Sequence, residues 1–90
     1  MKKNLKYEIY ESSKRKKKYI VVSLRADYDE VMKLAKGFFH CSEAHIHFTI
    51  GYVYLDRLYL EEDYDPHFFY LPDYRYVKGN KKVNVAYYVR

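Results

Sequence analysis

Asp27-Tyr28-Asp29-Glu30-Val31-Met32-Lys33-Leu34-Ala35-Lys36-Gly37-Phe38 is the one stretch of the chain with convincing helical periodicity. Asp27 is a favourable N-cap because its carboxylate accepts from the unpaired amides of a first turn, and Glu30 three residues on completes a capping-box pattern. Val31, Leu34, Ala35 and Phe38 recur at i, i+3, i+4 and i+7, which gathers them into one apolar stripe. Gly37 weakens the last turn by about 1 kcal/mol relative to alanine. The helix is expected to end near Phe39 or His40.

On either side of this helix the apolar pattern has a period of two. Leu5, Tyr7 and Ile9 alternate along one strand. Ile20, Val22 and Leu24 alternate along a second, with Val21 on its other side. The polar connection Ser12 to Lys18 joins them as a hairpin. Beyond the helix, Ile46, Phe48, Ile50, Tyr52 and Tyr54 form a long alternation in which Gly51 suggests a bulge. Asp56-Arg57 reads as a turn before Leu58, Tyr59 and Leu60. Glu61 to Asp73 is acidic and irregular, broken by Pro66 and Pro72. Tyr74–Val77 and Lys82–Val89 read as a closing hairpin, because Gly79 and Asn80 tolerate positive φ. One helix among many strands is most economically an α+β fold. The expected architecture is a small antiparallel sheet of five or six strands with one amphipathic helix packed on one face, in the order ββα then ββ(β)β. Residues 1–90 are read as a single domain, with the helix stripe lying on Ile20, Val22 and Leu24.

Ninety residues carrying 49% apolar and 32% charged side chains are enough for one small core. The sequence contains no apolar run of membrane-spanning length and no signal-peptide core near Met1, so no membrane association is expected. Cys41 is the only cysteine. It excludes an internal disulfide framework and fits a reducing, cytoplasmic setting. Thirteen tyrosines and five phenylalanines suit half-exposed sheet faces, and equally a recognition surface.

The net charge of +5 is unevenly distributed. Residues 1–18 carry eight basic and two acidic side chains, residues 56–73 six acidic and one basic, and residues 74–90 five basic and no acidic ones. Both basic segments read as hairpins. Lys14, Arg15, Lys16, Lys17 and Lys18 are therefore expected to join Tyr74, Arg75, Tyr76, Lys78, Lys81 and Lys82 in one basic, aromatic binding face. Lysine and arginine neutralise phosphates, and tyrosine stacks on unpaired bases. Glu61, Glu62, Asp63 and Asp65 form an acidic loop, either a second contact for a basic partner or an ordinary solvated loop.

The strongest candidate for chemistry is His40-Cys41 with His45, His47 and His67. The spacing of His45 and His47 would point both to one side of a strand, but the set matches no zinc-ligand pattern. No Gly-rich phosphate loop is present, and sequence adjacency alone does not make Cys41 and His40 a thiol–imidazole pair. No catalytic residue, metal or cofactor is assigned, and the chain is read as a non-enzyme. A metal-independent ribonuclease needs only His, Tyr, Lys and Arg in a cleft, so that alternative stays open.

Two resemblances bear on function. Tyr74 to Arg90 resembles the closing hairpin of ribonuclease toxins of toxin–antitoxin pairs, which implies a small basic ribonuclease. That family places two helices after its first strand, whereas here a second strand follows, and no catalytic residue is carried over. The short Lys- and Tyr-rich chain, with Phe38-Phe39-His40-Cys41-Ser42-Glu43-Ala44-His45 leading from helix to strand, is similar in style to small bacteriophage and mobile-element proteins. Anti-CRISPR inhibitors of host defence are among these. That resemblance implies a non-catalytic inhibitor occupying a surface of a host protein–nucleic-acid complex. The alternatives are a free RNA- or DNA-binding module and the ribonuclease toxin. Expected partners are such a complex or nucleic acid itself, and the sheet edges leave a homodimer open.

Overall fold

The protein is described by a computed structural model covering residues 5–12, 16–54, 57–61 and 82–90. It is the expected α+β fold. Strands β1 (Tyr7–Ser12) and β2 (Lys17–Ser23) precede helix α1 (Tyr28–Phe39), and a 3-10 turn (Glu43–His45) leads into β3 (Ile46–Tyr54), β4 (Arg57–Leu60) and β5 (Lys82–Val89). These strands form one curled antiparallel sheet in the order β1-β2-β5-β3-β4. The strand expected at Tyr74–Val77 lies outside the described residues. Arg57, read as part of a turn, belongs to β4 and pairs with Tyr54.

Local chemistry starts and stops the helix. Asp27 is extended, and its Oδ2 accepts from the Glu30 amide at 3.2 Å. His40 ends the helix in the left-handed region at φ 54°, a conformation better suited to glycine or asparagine. Tyr28 Oη donates to Glu43 Oε1 at 2.8 Å, tying the first turn of α1 to the segment that follows it. This hydrogen bond holds the Tyr28 phenol above its usual pKa, and burial does the same to Tyr87.

The helix rolls slightly from the expected stripe. Val31, Met32 and Ala35 are buried, and Leu34 and Phe39 pack against them, whereas Phe38 is exposed. Phe39 lies seven residues from Met32, so the two share a face once the helix turns by about one residue. Leu24 is also exposed, because β2 stops at Ser23 and Leu24 falls in the turn closed by the Ala26 amide donating to the Ser23 carbonyl.

Alternation divides the sheet into two faces. On the helix side, Ile20, Val22, Ile46 and Tyr87 pack with the helix into one cluster. Tyr7 and Ile9 share that face by register, opposite Val22 and Ile20. They are nevertheless 46% and 41% exposed, and Leu5, just before β1, is what joins the helix-side cluster from this segment. The helix lies over β2, β5 and the start of β3, so the edge strand is left uncovered. On the far face Tyr19, Val21, Leu60, Ala86 and Tyr88 form a second buried cluster. Gly51 does not mark a bulge: its pairing with Leu60 and Asn84 is continuous with its neighbours'. Its role is spatial, since a Cβ there would meet Leu58 Cδ1 at 2.9 Å and Ala86 Cβ at 3.5 Å. Leu58 and Leu60 fill the room that the missing side chain leaves.

Candidate nucleic-acid interface

β2 and β5 are adjacent and antiparallel, and this pairing decides where the basic residues go. Lys17 begins β2, beside the end of β5, while Lys82 begins β5 at the other end. The two lysines are therefore separated by roughly the length of β5, about 25 Å at ~3.3 Å per residue. Of the described basic residues, Lys17 and Lys82 thus lie at opposite ends of the sheet, whereas Arg90, from the second basic segment, falls at the Lys17 end. Lys17 and Lys82 do share the far face: Lys82 alternates in register with Tyr88, and Lys17 Nζ sits 5.4 Å from the Tyr88 ring centroid. Lys14, Arg15, Tyr74, Arg75, Tyr76, Lys78 and Lys81 lie outside the described residues, as do Glu62, Asp63, Asp65 and His67. Glu61, from the acidic loop, is exposed directly after β4.

At the hairpin end, Lys16 and Lys18 are exposed, Lys17 is half-buried, and Arg90 follows β5 immediately. Lys16 adopts φ 54° as it leads into β2. Lys18 pairs across the ladder with Glu11, and Lys17 pairs with Ser12. Lys18 therefore has a compensating carboxylate opposite it, leaving Lys16, Lys17 and Arg90 as the excess positive charge.

Beneath Lys17 runs a feature that alternation alone did not reveal. Tyr10 pairs with Tyr19, the Tyr19 and Tyr88 rings lie 5.6 Å apart, and the His47 and Tyr88 rings lie 5.9 Å apart. Four rings from four strands thus form a ladder across the far face. The sequence signal was a single aromatic at the matching phase of each strand, which is legible only once the registers are known. Tyr19 is 1% and Tyr88 8% exposed, so neither can stack on a base. Their contribution is a rigid aromatic bed for the Lys17 ammonium, a contact worth about 0.5–1 kcal/mol. Among the described residues, the most exposed large ring is Phe48, 61% exposed on the helix side beside Tyr87.

The opposite end carries a cavity of about 400 Å³ lined by Lys6, Glu8, Ser23, Lys82 and Asn84, with Val21 and Val53 as apolar walls. Asn84 is buried, and its Nδ2 donates to the Lys82 carbonyl at 2.9 Å. Lys6 and Asn84 were not singled out from sequence, because nothing in their spacing links them.

Among the described residues, the histidines do not gather into a metal-binding group. His45 ends the 3-10 turn and His47 lies within β3, so they do not alternate along one strand as expected. Among the described residues no three His, Cys, Asp or Glu side chains are grouped to hold a metal ion. Among the described residues, too, no helix is long and apolar enough to cross a membrane. The chain matches no family model, no curated protein and no solved structure.

Proposed function

We propose that this is a non-catalytic binding protein that sets its cationic hairpin end against a polyanionic surface of a host protein–nucleic-acid complex, in the manner of small phage-type inhibitors of host defence. The observation that carries this reading is the grouping of Lys16, Lys17 and Arg90 at one end of the sheet, with Lys17 held over Tyr88. A charge fixed on a rigid ring has less side-chain freedom to lose when it meets a phosphate, so its contribution to binding is larger than that of a free lysine.

The test is fluorescence anisotropy with a short duplex DNA and a short RNA, with salt raised from about 50 to 200 mM. Three neutralised phosphates give a log–log slope of about −3 on duplex DNA. The double substitution Lys16→Glu/Lys17→Glu should abolish the binding. Tight binding to the naked duplex would favour a free nucleic-acid-binding module. Binding only to an assembled nucleoprotein complex would favour an inhibitor. Failure to bind either at low salt would defeat the proposal.

A further inference from the structure

The edge strand β1 is written so that it can pair with itself. Among the described residues β1 has a neighbour on one side only, β2. Lys6, Tyr7, Glu8 and Ile9 are all exposed. An exposed edge bearing apolar side chains is a template for another strand. The sequence around Tyr7 reads Leu5-Lys6-Tyr7-Glu8-Ile9. Taken outward from Tyr7, each step meets chemical partners: Lys6 with Glu8, then Leu5 with Ile9.

We propose that two copies of the chain associate through Leu5–Ile9, the start of β1 and the two residues before it, antiparallel, about a two-fold axis at Tyr7. Such an axis, perpendicular to the sheet, keeps each face on its own side, so only residues of like alternation stand opposite one another. The axis must therefore pass through a residue, and charge selects which one. Centred on Tyr7, Lys6 of each copy faces Glu8 of the other, Leu5 faces Ile9, and the two Tyr7 rings adjoin. Centred on Glu8, two carboxylates collide. Centred on Ile9, Lys6 faces Ser12 and Glu8 faces Tyr10, and no ion pair forms. Glu8 already accepts from Tyr10 Oη through Oε2 at 2.6 Å, which leaves Oε1 for the neighbouring lysine. The apolar side of the contact is formed by Tyr7 and Ile9, the residues that the helix leaves uncovered. The pairing would extend the five-stranded sheet to ten strands, and it is independent of any nucleic-acid binding.

Sedimentation velocity over a concentration series, run on four forms of the full chain, tests this. The unaltered protein should show a concentration-dependent dimer. Glu8→Lys or Lys6→Glu alone places like charges opposite each other twice per dimer and should weaken association about tenfold. The double exchange Lys6→Glu/Glu8→Lys restores both ion pairs and should return the dimer to within about threefold of the original. A protein that is monomeric at every concentration overturns the proposal. So does a dimer indifferent to the single reversals, or a folded double-exchange form, checked by circular dichroism, that stays monomeric.

Discussion

Tyr19 and Ile20 are chain neighbours, and almost no solvent reaches either, yet they anchor different cores. Ile20 points to the helix side, where branched aliphatics meet the side chains of α1. Tyr19 points to the far face, where two large tyrosines and Leu60 cover a floor of Gly51 and Ala86. One face is closed by adding a second layer. The other is closed by alternating large and small residues within the sheet's own curl. A chain of 90 residues has little core to spare, so burying both faces is a physical route to stability at this size.

This contrast is open to direct attack, and the largest effects come from its anchors. Tyr19→Ala should cost about 3–5 kcal/mol and Ile20→Ala about 2–5 kcal/mol in urea unfolding. Comparable losses would show that the two faces fold as one unit. A loss below about 1 kcal/mol for Tyr19→Ala, far short of a normal buried-aromatic truncation, would reduce the far face to a decoration. Gly51→Val comes next: its methyls would enter space held by Leu58, Leu60 and the Ala86 side chain. Overpacking of this kind costs about 1–3 kcal/mol, read as a lowered unfolding midpoint.

A pH titration separates the faces by another route. Tyr87, in the helix-side cluster, has a folded pKa raised above 10.0 by burial. A phenol with a raised folded pKa stabilises fully below its unfolded pKa, and that stabilisation is lost as pH rises through the folded value. Unfolding midpoints should therefore fall on the alkaline side of about pH 10, and Tyr87→Phe should flatten the fall. The smallest effect is a gain. Nothing lies within 4 Å of a Cβ built at Gly37, so Gly37→Ala should stabilise the helix by about 0.5–1 kcal/mol, seen as a small rise in thermal midpoint.

The helix-side core was largely legible in the sequence because it rests on local signals. Asp27 announces the cap, and the recurrence of Val31, Leu34 and Ala35 announces the stripe. What escaped was the fine rotation that exchanges Phe38 for Phe39, since two adjacent phenylalanines give a periodic pattern no preference between them. The far face was far less legible. Tyr10, Tyr19, Tyr88 and His47 come from four strands, and only the non-local pairing of β5 with β2 and β3 brings them into line. The same pairing separated Lys17 from Lys82. Each residue begins its strand, but adjacent antiparallel strands begin at opposite ends. No local pattern shows which strands will be neighbours.

The last strand in the described order, β5, occupies the middle of the sheet, between β2 and β3. Among the described residues, the β1–β2 pair and the β3–β4 pair share no ladder with each other, and only β5 joins them. A nascent chain emerging from the ribosome would thus hold two unjoined halves until its final described segment slides between them. Completion of the sheet then waits on β5 and is governed by long-range closure rather than by stepwise growth from the N-terminus.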